Sequence, residues 1–386
     1  MSSPHTSRQL DIFRGFAAIL MVLNHAGFHW LAPIDATTGF DGAAVFLGSA
    51  APALFFFATG VGMGLSRRSA VDWPGIVRKV VLLLIADLFL GWSVRRWIGL
   101  DFFAFCAISM LAVALVTATR RPVLTATLAI AACLFLRYAV VSRLGPLAGD
   151  WRIVAFVTGI DGVVDVSYPL SPWLVFPLAG FILARHTGHQ DGSAPFAAPR
   201  ICVAIVSAAT GAAAWWLDSR GAAMHRWNTV SVAYFLFAIA FVGLVWLLAG
   251  ALAPASGFRV VSALQTRGPA SLLIVPVHYA LIGIAAAMLA PPWSAAAWLP
   301  AALALCAVAL ALSKWIATCL RHWVESARVA RGLALSLPAC AAVIAICVLA
   351  APPLTCLLVA CAGQVLVAAN LARPDAVTRP GMGRAL

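Results

Sequence analysis

Residues 10–30 read LDIFRGFAAILMVLNHAGFHW, an apolar run broken near its start by Asp11 and Arg14 and near its end by Asn24, His25 and His29. A helix needs about 20 residues to cross the hydrocarbon of a bilayer, which is the length of this run. Ionisable groups within such a helix are costly unless they face a bundle interior or a wet cavity. At about 100° per residue, with Arg14 at zero, His25 falls at about 20° and Asp11 and His29 near 60°. Asp11, Arg14, His25 and His29 therefore share one stripe. This stretch predicts the opening helix of a polytopic, all-α integral membrane bundle.

The rest of the 386-residue chain agrees: 63% of its residues are hydrophobic and only 10% charged, with a mean hydropathy of +0.98. A soluble domain is roughly a quarter charged and about half apolar. Apolar runs near 10–30, 43–65, 76–94, 101–119, 123–141, 171–185, 199–217, 231–253, 269–290, 296–319, 333–351 and 354–370 predict about ten to twelve transmembrane helices. The run at 171–185 is short and holds Pro172, Pro177 and Gly180, so a broken or kinked helix is expected there. Irregular backbone at membrane depth is tolerated where protein or a cavity surrounds it.

The net charge of +13 does not point to nucleic acid, because the cations stand in ones and twos between apolar runs and form no patch. That spacing marks membrane topology. With twelve spans and the N-terminus inside, 19 of the 26 Lys and Arg fall on the inner side, so both termini are expected in the cytoplasm. No cleavage site for a secretory signal follows the first helix, which is therefore expected to persist in the mature chain. The nine cysteines lie mainly within apolar runs and form no CxxC, which gives no support to a zinc site or a disulfide framework. Two units are expected: a transmembrane region over 1–331, and a helix pair with a short tail over 332–386. The longest outer connection, 142–170, carries Asp150, Asp161 and Asp165 and reads equally as a binding segment or a solvated loop.

A rise of about 1.5 Å per residue separates Arg14 from His25 by roughly 16 Å, so Asp11 is out of reach of His25 within the same helix. Asp11 and Arg14 have the spacing to pair at i, i+3, either to anchor the helix end or to serve a binding mouth. His25 reads either as a base or as an interhelical hydrogen-bonding group, and His29 beside Trp30 as an interfacial residue or a second functional one. Ser271 and His278 share a helical face, with interhelical hydrogen bonding as the alternative reading. Asp87 stands alone in an apolar span and is a candidate to orient a histidine of another helix. Glu325 is expected to pair with Arg321 or Arg328.

Leu-Asp-Ile-Phe-Arg-Gly at 10–15, followed by Asn24-His25, resembles the opening signature of two related groups of transmembrane acyltransferases. These are the acyltransferase-3 family and the heparan-alpha-glucosaminide N-acetyltransferase family with its bacterial relatives. Three further segments are similar to family elements: Ala51 through Gly60, Pro172 through Gly180, and Gly268-Pro269-Ala270-Ser271-Leu272-Leu273 with His278. Acyltransferase-3 proteins carry a functional His at the His25 position. The heparan-type enzymes typically carry Asn there, with their functional His further on, a role open to His29 or the outer loop. Ala58-Thr59 stands where acyltransferase-3 proteins usually have Ser before Gly.

The resemblance implies transfer of an acyl group, expected to be acetyl, from cytoplasmic acyl-CoA to a hydroxyl or amine of a glycan, lipid-linked or small-molecule acceptor. It implies an integral protein of a bacterial inner membrane, with acyl-CoA as co-substrate and neither a resident cofactor nor a metal. His25 would act as general base, with His29, His278, Ser271 and Asp87 as further catalytic candidates. Arg14, Asp11, Arg67 and Arg68 would serve the donor, near Arg78 and Lys79. A transporter of a sugar or lipid-linked substrate is the alternative, though the inverted repeat it calls for is not visible.

Overall fold

The computed structural model describes residues 4–31, 39–66, 71–93, 100–146, 149, 151–160, 166–188, 197–222, 224, 230–289, 293–324, 341, 343 and 352–371. Within them the chain is helical, and its one β contact is an isolated bridge between Leu31 and Trp293. Eight helices among the described residues are long and apolar enough to cross a membrane.

The first helix, α1 (Pro4–Trp30), is the central pillar. Around it stand α2 (Gly39–Gly48), α3 (Ala51–Gly64), α11 (Val232–Leu252), α13 (Pro269–Leu289) and α14 (Ala295–Val324). Its apolar side is buried through Ile12, Phe13, Ala17, Ala18 and Val22. The expected span at 43–65 is present as Gly42–Gly64, one of the eight, with α2 and α3 joined through a turn at Ser49 and Ala50.

Next come α4 (Trp73–Ser93), α5 (Phe102–Thr117), α6 (Pro122–Phe135), and the short α7 (Arg152–Thr158) and α8 (Leu170–Trp173). α9 (Val175–Gly188), α10 (Ala197–Ser219) and α12 (Arg259–Leu264) complete the middle of the chain. Ser171 has extended backbone angles (φ −97°, ψ 119°), as expected of a residue before proline, and this breaks the 171–185 run at its start. α9 packs against α3 with almost no side chain between them. A Cβ on Gly60 would strike the Pro177 carbonyl, and one on Gly180 the Phe57 carbonyl. Small residues give membrane helices this close approach.

Apart from the short α7, α8 and α12, three helices among the described residues fall outside the eight. α4 carries Arg78, Lys79 and Asp87, while α5 and α9 have only 16 and 14 residues. At the periphery, α6 and α10 leave Leu124, Leu128, Ile201, Ile205, Trp215 and Trp216 exposed, as a lipid-facing surface requires.

Of the terminal helix pair expected over 332–386, the run at 333–351 lies outside the described residues apart from 341 and 343, as does Glu325, and α15 (Pro353–Leu371) packs between α4 and α13. Leu357 and Leu354 fill the space above Gly283. Cys356, Ala360 and Cys361 are buried in that contact. A charge-free run after 332 signals only membrane; which partners it buries against is a tertiary property.

Candidate functional site

The two ends of the α1 stripe open onto two different cavities. At the N-terminal end, Asp11 is 6% exposed and lies 3.7 Å from Arg14, the i, i+3 pair expected from spacing. Its shorter contact is to a residue the sequence reading did not choose: Arg267 Nε donates to Asp11 Oδ2 at 2.9 Å. The same segment is held by its backbone, since the Thr266 N–H donates to the Asp11 carbonyl at 3.0 Å. Gly15 completes the joint, because a Cβ there would collide with the Leu264 carbonyl oxygen. The opening motif thus docks the turn between α12 and α13. The available signal was position, since Arg267 immediately precedes the Gly-Pro-Ala-Ser-Leu-Leu element.

With Asp11 engaged by Arg267, Arg14 lines a cavity of about 570 Å³ together with Thr59, Ser66, Asp72, Lys79, Thr117 and Ser271. Ser271 donates to the Gly268 carbonyl at 2.8 Å and belongs to this cavity, a helical stretch away from His278. The expected grouping of Ser271 with His278 therefore divides between two places.

At the other end of the stripe, His25 meets His278. The His25 Nδ1 to His278 Nε2 distance is 2.7 Å, and the rings are nearly parallel, 16° apart. His278 Nδ1 lies 2.6 Å from the Ile274 carbonyl. A carbonyl only accepts, so His278 Nδ1 carries the hydrogen. With both rings neutral, His278 Nε2 is then the acceptor, and His25 Nδ1–H donates to it. The remaining nitrogen, His25 Nε2, keeps its lone pair. It lies 3.4 Å from Tyr279 Oη, whose ring stacks on His25 at 4.8 Å. One backbone carbonyl thereby fixes the tautomer of two histidines in succession.

His25 lines a second cavity of about 240 Å³ together with Asn24, Ser49, Asp101, Phe102, Ser167, Tyr168 and Tyr279 among others. Tyr168 brings the end of the 142–170 connection into this wall, whereas Asp150, Asp161 and Asp165 lie outside the described residues. Asn24 is tied to α2 through the Val45 carbonyl at 2.8 Å. Tyr279, adjacent in sequence to His278, was the missed member of this group; its hydroxyl in an apolar span was the signal.

The remaining candidates separate. His29 is exposed one turn beyond His25 and stands in the wall of neither cavity. Asp87 meets backbone N–H groups of α5, and no histidine is among its hydrogen-bond partners in the described residues. Its carboxylate accepts the backbone N–H of Ala104 at 3.0 Å and of Asp101 at 3.2 Å, capping the start of α5. Exposed N–H groups at a helix start are a standard carboxylate partner, which the isolated Asp87 could not reveal before α4 and α5 were paired. Arg67 and Arg68 lie outside the described residues. Among the described residues no three His, Cys, Asp or Glu side chains are grouped for a metal ion.

A sequence model of one family, described as heparan-alpha-glucosaminide N-acetyltransferase, catalytic, matches residues 7–217, more than half of the chain. No curated protein matches the chain. No solved structure matches it either. The matched region holds α1 with Asp11, Arg14 and His25, while His278 and Tyr279 lie beyond it.

Proposed function

The chain belongs to the heparan-alpha-glucosaminide N-acetyltransferase catalytic family, and we propose that it moves an acetyl group from acetyl-CoA, bound in the Arg14 cavity, to a glycan hydroxyl or amine in the His25 cavity. The observation that carries this reading is that one helix serves both cavities: a guanidinium lines the first and an imidazole with an unprotonated nitrogen faces the second. The charge asymmetry of the sequence supports a cytoplasmic opening for the Arg14 side, in a bacterial inner membrane with both termini inside.

Guanidinium geometry suits phosphate, and Lys79 adds a second cation to the same wall. A pantetheine arm then reaches along α1 by roughly 16 Å, the helical rise between Arg14 and His25. The acceptor O–H or N–H gives its proton to His25 Nε2 as the oxygen or nitrogen attacks the thioester carbonyl. A C–O or C–N bond forms, the C–S bond breaks, and the CoA thiolate leaves with the electron pair. The proton on His25 then passes to that thiolate. The Tyr279 hydroxyl, beside Nε2, is positioned to donate to the carbonyl oxygen as it gains charge. A fixed base with a tautomer-setting partner serves this chemistry and has no evident use in passive transport.

The test is transfer of labelled acetyl from acetyl-CoA to glucosamine-terminated oligosaccharide by the purified protein in liposomes. Wild type is expected to transfer label, and His25→Ala to lose activity by about 10²- to 10⁴-fold. Full activity in His25→Ala would remove the base; no transfer by wild type would overturn the reading.

A further inference from the structure

We propose that Phe102 sets the length of the acyl group this protein transfers, as the wall between the two cavities; the inference rests on the acyl-CoA reading above. Among the described residues, Phe102 alone lines both cavities. Its ring is held from several sides: Phe55 at 5.6 Å edge-on, Phe56 at 5.5 Å stacked, and Tyr168 at 6.4 Å edge-on. Its backbone is fixed as firmly. It is the first residue of α5, its N–H donates to Asp101 Oδ1 at 2.8 Å, and Asp87 caps the same turn.

A donor entering from the Arg14 side must bring its thioester carbon to an acceptor held at His25 Nε2. Phe102 is the residue shared by the two cavity walls, so the acyl group is the part of the donor laid against its ring. An acetyl group brings a single methyl to that wall. Each added methylene must either displace a ring packed among four others or fold back on the donor. Packed interiors yield little to such additions. A pocket wall of this kind discriminates by roughly 10- to 200-fold per methylene.

The experiment compares acetyl-, propionyl- and butyryl-CoA as donors, measuring kcat/KM for each with a common acceptor. Phe102→Ala is expected to raise the butyryl-to-acetyl ratio by at least about 10-fold. Phe102→Leu should raise it less, and Phe102→Trp should lower it. Phe103→Ala is the packing control: Phe103 is equally aromatic and 2% exposed, touches Phe102 at 5.4 Å, and stands in neither cavity wall. Its ratio should stay at the wild-type value even if total activity falls. An unchanged ratio in both Phe102→Ala and Phe102→Leu overturns the assignment. If Phe102→Ala fails to fold, the opposed shifts of the Leu and Trp variants decide the matter. Wild-type acetyl transfer with unmoved ratios removes Phe102 alone, whereas no transfer by wild type removes the acyl-CoA reading and this inference with it.

Discussion

His278 lines neither cavity yet decides which nitrogen of His25 is available. Its Nδ1–H is committed to the Ile274 carbonyl and its Nε2 to His25, so it acts through its neighbour as a positioning residue. His278→Leu is expected to lower kcat by about 10²-fold or more while leaving the KM for acetyl-CoA unchanged, because the donor site lies elsewhere. His278→Gln places an amide acceptor near the position of Nε2 and should recover part of the loss. Equal losses in both variants would reduce His278 to packing. Tyr279 and Arg267 stand beside residues legible in the motif, but their roles come from the helices they face. Asp87 shows the converse: its type invited a catalytic role, and its neighbours on α5 assign it a cap.

At the scale of elements, the Leu-Asp-Ile-Phe-Arg-Gly motif is a joint as well as the proposed donor-binding end. Asp11 grips Arg267 and Thr266, and Gly15 admits the Leu264 carbonyl, so α1 and the α12–α13 turn are fixed together. Gly15→Ala should destabilise the protein by about 1–3 kcal/mol through overpacking. It is expected to show as a lower midpoint of thermal unfolding in detergent and a raised KM for acetyl-CoA, since Ser271 and Gly268 of the adjoining turn line the donor cavity. A variant as stable as wild type would show that the joint relaxes. The break in the 171–185 run was legible because proline constrains the residue before it. The turn between α2 and α3 also has a proline beside it, Pro52, whereas the packing of α15 could not be read from hydropathy, which sees lipid and apolar protein alike.

For the whole molecule, the proposed transfer between the two cavities calls for access to them from opposite faces of the membrane. Ser271→Cys and Ser167→Cys, each introduced into a protein cleared of its native cysteines, report on the two cavities. A membrane-impermeant maleimide is expected to label the first only from the cytoplasmic side and the second only from the other side. Acetyl-CoA should protect the first. Labelling of both from one face would contradict the division between donor and acceptor sides.

Sequence alone determined the solvent, the class and the stripe. Composition requires lipid, apolar run lengths require helices, and the helical repeat puts Asp11, Arg14, His25 and His29 on one side of α1. Those are local properties, carried by the chemistry and spacing of neighbouring residues. Tertiary structure alone decided which stripe residues work together. It joined His25 to His278 across 253 positions, gave Asp11 to Arg267 across 256, left His29 exposed, and set Phe102 between two cavities. The reason is physical: a helix fixes the direction in which a side chain points, but only the packing of other helices determines what it meets there.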